Sequence, residues 1–175
     1  MNVVLIHGFN VNDGGLSTVG TLFPLLKAQG HNPRFFAYGW VGLIGAWLGN
    51  GKRAKKLKNC TSDNDVLIGH SNGCAIIARA LKKGANPKRI IFIHPALNKL
   101  WEPPDSFEGI IHVYHSERDR ATEVAKLTKW VPKSIWGDMG GSGAVSGHPA
   151  FINHDDGFRH SEGFEKNPEL YLETL

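Results

Sequence analysis

A serine flanked by two glycines is the clearest chemical signal in the sequence. Residues 69–73 are GHSNG, which places Ser71 two positions from both Gly69 and Gly73. The apolar run DVLI leads into this segment and the apolar run CAIIARAL follows it. This pattern predicts a sharp turn from a buried strand into a helix, in which small neighbours let the backbone turn and expose the serine hydroxyl. A hydroxyl beside a helix N-terminus indicates a nucleophile, and the alternative is an ordinary N-cap serine.

Three segments together resemble the α/β-hydrolase superfamily. They are LIHGFN at 5–10, GHSNG at 69–73 and HSERD at 115–119. The resemblance extends over nearly all of the chain, although only the glycine-flanked serine and the early His-Gly pair are specific. The chain looks like a small lipase- or esterase-like member that lacks the first two strands of the family and a cap domain. The resemblance implies one α/β domain over residues 1–175, with about six mostly parallel strands in the order second, first, third, fourth, fifth, sixth and helices on both faces.

The resemblance also implies two backbone N–H groups for an oxyanion. One belongs to the residue after the nucleophile, Asn72. The other belongs to the loop after the first strand, where Phe9 is the expected donor and Asn10 the alternative. His7, in the same loop, is expected to order it through hydrogen bonds.

A serine nucleophile needs a histidine base held by a carboxylate. In the family the acid precedes the histidine, and both follow the serine. Asp119 lies shortly after the apolar run IIHVYH, where the acid of the family stands. A helix-capping role for Asp119 is the structural alternative, Glu117 is a possible substitute, and Asp138 is less well placed.

Three histidines are candidates for the base, namely His148, His154 and His160. We expect His160, since it precedes the C-terminal helix pattern and resembles the family histidine on a loop into a final helix. The last strand is predicted at 132–137, so a loop of about 23 residues would lead to this base. Its glycine-rich part, 137–147, would be a mobile active-site flap.

The same region allows a different interpretation, a metal cluster of His148, His154, Asp155, Asp156 and His160. Its spacing matches no dense ligand motif such as H-E-x-x-H, so we expect neither a metal nor a cofactor. A phosphate-binding loop is also excluded, since GAWLGNGKR has alanine in place of the first glycine and arginine after the lysine. The histidines that close apolar runs are expected to satisfy backbone or loop groups; they are His70, His94 and His115.

Short apolar runs alternate with helix-like segments along the chain, which predicts a parallel sheet. The predicted strands are 2–7, 33–38, 65–70, 89–94, 110–115 and 132–137. The predicted helices are 16–30, with a start or kink near Pro24, 72–84, 121–130 and an interrupted one at 161–175.

The composition and charge of the chain indicate which partners and which cellular location to expect. The chain has 175 residues, 41% hydrophobic, and a net charge of only +4, which is weak evidence for a nucleic-acid partner. The basic run from Lys52 to Lys58 is expected to be a solvated helix face or turn. Cys60 and Cys74 have no metal-like spacing and require no disulfide. With no leader and no apolar run of about 18–20 residues, we expect a cytoplasmic protein.

The sequence therefore predicts a serine hydrolase that cleaves a small-molecule acyl ester through an acyl-enzyme. The alternative is a non-catalytic binding or accessory domain with the same fold. The apolar segment 39–50, with Trp40 and Trp47, would either pack in the core or line the substrate entrance.

Overall fold

A computed structural model describes residues 1–9, 12–39, 43–119 and 136–175. Its centre is a six-stranded sheet with the order β2-β1-β3-β4-β5-β6, in which all neighbours are parallel. The strands are β1 (Asn2–Ile6), β2 (Asn32–Phe35), β3 (Val66–His70), β4 (Arg89–Ile93), β5 (Ile110–His115) and β6 (Phe151–Asp155). The α/β class and the strand order predicted from the sequence are confirmed.

Helical segments connect the strands. They are a 3₁₀ turn (Val19–Thr21), α1 (Leu22–Ala28), α2 (Leu43–Asn59), α3 (Asn72–Leu81), α4 (Met139–Ser142), α5 (Glu162–Lys166) and a C-terminal 3₁₀ segment (Pro168–Leu172). Pro24 lies in the first turn of α1, where its missing N–H is not needed. Pro168 separates the last two segments, as predicted. The basic run lies on α2, and its lysines are exposed.

The sheet has an apolar core on each face. Alternate residues of β1 contribute to them, with Val4 and Ile6 on one side and Val3 and Leu5 on the other. Helices α2 and α3 cover the first side, and α1 and the C-terminal segments cover the second. Strands β1, β3, β4 and β5 are therefore largely buried, which explains their continuous apolar runs, whereas the edge strand β2 is only partly buried.

The sixth strand is not where the sequence predicted it. Residues 132–135 lie outside the described residues, and the strand beside β5 is Phe151–Asp155. This edge strand has a mostly polar sequence, FINHD, and a partly exposed surface, so it lacks the apolar run on which the prediction depended. The helix predicted at 121–130 also lies outside the described residues.

The glycine-rich stretch 137–147 consequently precedes β6 instead of following the last strand. Its backbone is held by the loops after β4 and β5, because Met139 N–H donates to Leu97 and Ser116 N–H donates to Gly140. The predicted flap between the last strand and His160 is therefore wrong, since only residues 156–159 separate β6 from His160.

Both cysteines are free thiols. Among the residues that the structure describes, no helix is long and apolar enough to cross a membrane.

Candidate active site

Ser71 occupies a strained turn between β3 and α3. Its φ is +52°, one of two positive φ values among the described non-glycine residues, and such a conformation typically costs about 1–3 kcal/mol. Neighbouring strands hold it there, since the Ser71 N–H donates to the Ile93 carbonyl over 3.1 Å. The Ser71 carbonyl in turn accepts the Cys74 N–H over 3.1 Å in the first turn of α3. The turn directs Ser71 to the carboxyl edge of the sheet.

Glycines around Ser71 let three backbone segments meet closely. A Cβ at Gly73 would lie 2.7 Å from the His7 carbonyl oxygen and closer still to the Ile6 oxygen. A Cβ at Gly69 would lie 2.7 Å from the Ile77 side chain. The loop after β1 also approaches the serine, because a Cβ at Gly8 would lie 3.2 Å from the Ser71 Cβ. The glycine spacing seen in the sequence is thus a packing requirement of this turn.

The loop after β1 is fixed by contacts with the Tyr38 side chain. The Tyr38 hydroxyl donates to the carbonyls of His7 and Gly8, at 2.5 and 2.7 Å. The His7 ring stacks on Tyr38 with centroids 4.0 Å apart, and its Nδ1–H donates to the Gly8 carbonyl. Burial lowers the pKa of His7, so its ring is neutral at pH 7. These contacts fit the ordering role expected for His7.

Of the two predicted oxyanion donors, Asn72 directly follows Ser71, and Phe9 directly follows Gly8, whose backbone approaches Ser71. Asn72 is the first residue of α3, and its buried side-chain amide pairs with Asn50 of α2, whose Nδ2–H donates to Asn72 Oδ1 over 2.7 Å. Phe9 belongs to the β1 loop and is 38% exposed. Asn10, the alternative donor, lies outside the described residues.

Asp119 and His160 are joined by a hydrogen bond. His160 Nδ1–H donates to Asp119 Oδ2 over 3.0 Å. The Asp119 side chain is fully buried, whereas that of His160 is 23% exposed. Burial alone would raise the pKa of Asp119, but hydrogen bonds from His160 and His94 outweigh burial and lower it. Asp119 is therefore an ionised hydrogen-bond acceptor at neutral pH.

His70 connects this pair to the serine turn. It directly precedes Ser71, and its Nε2–H donates to the His160 carbonyl over 2.9 Å. The two rings lie 4.7 Å apart between centroids. Burial lowers the pKa of His70 well below its ordinary value, so the ring is neutral. Residues at the ends of β3, β5 and β6 thus meet at one edge of the sheet.

The alternative bases and acids lie elsewhere. His154 is part of β6, where its Nε2 is 3.0 Å from His112 Nδ1. His148 Nδ1 accepts the Ala150 N–H over 3.2 Å. Glu117 is exposed, and Asp138 faces Lys99 at 3.8 Å. Neither histidine is hydrogen-bonded to Asp119.

His94 is the residue that sequence reasoning missed. It was expected to satisfy backbone or loop groups at a strand end. Instead its ring is fully buried between two carboxylates, with Nδ1 3.2 Å from Asp119 Oδ2 and Nε2 3.1 Å from Asp156 Oδ2. Burial opposes the charged ring, but the hydrogen bonds to both carboxylates outweigh it and raise the pKa of His94 to about 9. A signal was available, since a histidine ends the apolar strand that neighbours the Ser71 strand.

His154 and His148, which belong to the alternative metal cluster of residues 148–160, have the separate contacts given above. Within the described part of the chain, one group has the spacing for a metal, namely His94, Asp119 and His160, whose donor atoms lie within 4.8 Å of one another. Both histidines already hydrogen-bond to the same oxygen, Asp119 Oδ2. We therefore interpret the group as a hydrogen-bond network.

Comparisons with known proteins agree with this architecture. No protein-family model matches the chain, and a search of curated protein sequences finds no match either. Solved structures do match. One is a protein of the alpha/beta hydrolase superfamily from Xanthomonas campestris, at 15% identity and a TM-score of 0.61, covering 99% of both chains.

Two further structures come from other organisms. An extracellular alpha/beta-hydrolase from a Paenibacillus species has 15% identity and a TM-score of 0.60, over 97% of this chain and 95% of that one. The esterase Pf2001 from Pyrococcus furiosus has 14% identity and a TM-score of 0.60, over 97% of this chain and 76% of that one. At these identities the likeness shows the fold: the chain has the α/β-hydrolase fold.

Proposed function

We propose that this α/β-hydrolase-fold protein is a serine hydrolase that cleaves a small-molecule acyl ester through an acyl-enzyme. The observation that carries the proposal is the hydrogen bond of His160 to the buried Asp119 carboxylate, at the sheet edge where Ser71 stands in a strained turn. A carboxylate that orients a histidine base for a serine is the arrangement required for nucleophilic catalysis. Esterases among the structural neighbours are in keeping with this chemistry.

His160 acts as the general base. Its Nδ1–H is held by Asp119, so the neutral ring has its free electron pair on Nε2. Nε2 takes the Ser71 Oγ proton as Oγ attacks the acyl carbonyl carbon. The imidazolium that forms is stabilised by the buried Asp119 carboxylate and then returns the proton to the leaving alcohol. General base catalysis of this kind contributes about 10²–10⁴-fold in rate.

The oxyanion is held by backbone N–H groups of Asn72 and Phe9. Asn72 starts α3, so its N–H points out of the helix N-terminus, where the dipole favours negative charge. Phe9 is on the loop that Tyr38 fixes through the His7 and Gly8 carbonyls. A donor held this firmly costs little to reorganise in the transition state, and loss of one donor typically lowers kcat about 10²–10³-fold.

Water then cleaves the acyl-enzyme by the same steps, with His160 as base toward water. No metal is required in this scheme, since the histidine and the N–H groups supply both proton transfer and charge stabilisation. Phe9 is exposed and directly follows Gly8, whose backbone approaches Ser71, which favours an acyl group with apolar character. Trp40 and the side chain of Trp47, which were expected either to pack in the core or to line the substrate entrance, lie outside the described part of the chain.

The proposal is tested by turnover of chromogenic acyl esters of graded chain length. The wild type should release chromophore, and Ser71→Ala should lower kcat by several orders of magnitude at an unchanged melting temperature. Ser142→Ala is the matched control, because Ser142 is exposed and bonds only to nearby carbonyls. Equal turnover in Ser71→Ala and wild type would refute the serine mechanism. Absence of turnover with every ester would favour the non-catalytic domain.

A further inference from the structure

His94 has a contact pattern that the proposed mechanism does not use. Its Nδ1 and Nε2 each meet a carboxylate oxygen, Asp119 Oδ2 at 3.2 Å and Asp156 Oδ2 at 3.1 Å. An ionised carboxylate only accepts hydrogen bonds, so both ring nitrogens must carry a proton. A ring protonated on both nitrogens is a cation.

Asp156 is held by hydrogen bonds at both of its carboxyl oxygens. Its Oδ1 accepts the Phe158 N–H over 3.0 Å, and its Oδ2 accepts the Tyr171 hydroxyl over 3.1 Å as well as a hydrogen bond from His94. Three donors thus meet one carboxylate whose side chain is fully buried. Asp156 is therefore the second carboxylate partner of His94.

We propose that His94 is a buried cation at neutral pH that positions Asp119 and tunes the base, so that Asp119 is shared by two histidines. The proposal rests on the proposed serine mechanism. The hydrogen bonds of His94 and His160 converge on the same oxygen, Asp119 Oδ2, at 3.2 and 3.0 Å. His94 thus fixes the rotamer of the acid and removes part of the negative charge that His160 would otherwise experience. His94 does not touch the substrate, so it is a positioning residue.

The backbone at His94 supports a dedicated role. Its φ is +45°, the second positive value among the described non-glycine residues, and its N–H donates to the Tyr114 carbonyl over 2.9 Å. Left-handed conformations of this kind are uncommon outside glycine, asparagine, aspartate and histidine. With this backbone conformation, the His94 ring at the end of β4 lies against the carboxylates that follow β5 and β6.

Other titratable groups surround the His94 ring, and their charges act on it as well. The described ones are Asp119 after β5, Asp156 after β6, His160 before α5, His70 at the end of β3, His115 at the end of β5 and Tyr171 in the C-terminal segment. Burial lowers the pKa of His70 and of His115, so both rings are neutral near pH 7. Burial also raises the pKa of Tyr171, which stays a hydroxyl. The only charges in direct contact with His94 among the described residues are therefore the two carboxylates.

The cation has a measurable consequence for the base. The His94 and His160 rings lie 5.9 Å apart between centroids, so a charge on one disfavours a charge on the other. Replacing His94 with a neutral residue removes this repulsion and one of the two histidine hydrogen bonds to Asp119 Oδ2. Both changes favour protonated His160. The acidic limb of the pH–rate profile should consequently move to higher pH, by about one to two pH units for charges at this distance in a partly polar interior.

The test uses His94→Asn, since asparagine is neutral and tolerates a positive φ. The rate of Ser71 modification by a fluorophosphonate probe is measured from pH 5 to 9. Tyr171→Phe is the matched control, because it removes a hydrogen bond to Asp156 without changing any charge. We expect the acidic limb of His94→Asn to move to higher pH and that of Tyr171→Phe to stay in place. A uniform loss of rate in His94→Asn with an unmoved limb would show a merely structural role and overturn the proposal.

A second measurement holds even if His94→Asn fails to fold. Nitrogen-resolved NMR of the wild type should show both ring nitrogens of His94 bearing protons at pH 7. A neutral His94 at pH 7 would overturn the proposal and leave the serine mechanism standing. If the probe fails to label the wild type, the serine mechanism fails and the positioning role fails with it, whatever the protonation of His94.

Discussion

Gly73 offers the sharpest test of how the serine turn is built. In Gly73→Ala the new Cβ would lie 2.7 Å from the His7 carbonyl oxygen and closer to that of Ile6. Both neighbours are backbone atoms of the β1 end, so no rotamer change relieves the contact. Ordinary contacts begin at 3.4 Å, so the closer contact, with the Ile6 oxygen, requires α3 to move away from β1 by about 1 Å.

The energy of this change can be bounded. Overpacking against a fixed backbone costs about 1–3 kcal/mol, occasionally more, whereas alanine in a helix gains about 1 kcal/mol over glycine. Because both contacts are far below 3.0 Å, we take the upper end of the overpacking range, about 3 kcal/mol, which leaves a net loss of about 2 kcal/mol in the free energy of unfolding. For a chain of this length that lowers the melting temperature by about 4–8 °C. The shift also separates Asn72 N–H from the β1 loop, so the rate of ester turnover should fall at least about tenfold.

Gly51→Ala is the matched control. Gly51 also lies inside a helix, α2, but a Cβ there would meet nothing within 4 Å. Since the new Cβ causes no clash, the remaining effect is the higher helix propensity of alanine, which stabilises the fold by about 0.5–1 kcal/mol. The melting temperature should therefore rise by about 1–4 °C, and ester turnover should not change. The melting temperatures of both variants are to be measured by thermal unfolding followed by circular dichroism. If Gly73→Ala proves as stable and active as Gly51→Ala, the close approach of β1 and α3 is not a requirement of the site.

Further predictions concern the base, the loop after β1, pH and metal ions. His160→Ala should lower ester turnover nearly as much as Ser71→Ala, and the double variant should lose little more. His148→Ala and His154→Ala should stay active. If His154→Ala is inactive instead, His160 is not the base. Tyr38→Phe removes the hydroxyl bonds to His7 and Gly8 and should lower kcat about tenfold with little change in KM, and an unchanged kcat would mean that the loop needs no such support. Because the folded-state pKa of His94 is raised to about 9, its stabilising effect is complete below about pH 6.5 and is lost as pH rises through 9. Urea unfolding should therefore show stability falling by roughly one kcal/mol per pH unit more in wild type than in His94→Asn over that range, and parallel curves would contradict it. Dialysis against a chelator should leave turnover unchanged, and a loss restored by a divalent ion would assign His94, Asp119 and His160 to a metal instead.

Burial explains which parts of the fold could be predicted from the sequence. Strands β1 and β3 to β5 are covered on both faces, so each carries a continuous apolar run that is visible without a structure. Strand β6 is an edge strand with exposed Ile152 and Asn153, and its partners are set by β5 and not by its own pattern. The prediction therefore placed the last strand at 132–137 and made the loop before His160 far too long.

The site could be anticipated only in part, for a related reason. The resemblance to the α/β-hydrolase superfamily, with its chain order of serine, acid and histidine, implied Asp119 near His160, and the two are in hydrogen-bond contact. His94 was not expected beside them, because its role depends on a positive φ that swings the ring sideways and on Asp156, which follows the strand that was misplaced. A network of buried side chains depends on the direction in which each side chain leaves the backbone. The order of residue types in a sequence does not give that direction.

The most direct test of the central claim is to trap the acyl-enzyme. The protein is mixed with a p-nitrophenyl acyl ester, quenched in acid within the first turnover, and analysed by intact-mass and peptide mass spectrometry. The account predicts an added acyl group on the peptide that contains Ser71, formed at the same rate as the chromophore burst and absent from Ser71→Ala. Chromophore release without any acylated Ser71, or an acyl group on another residue, would contradict it.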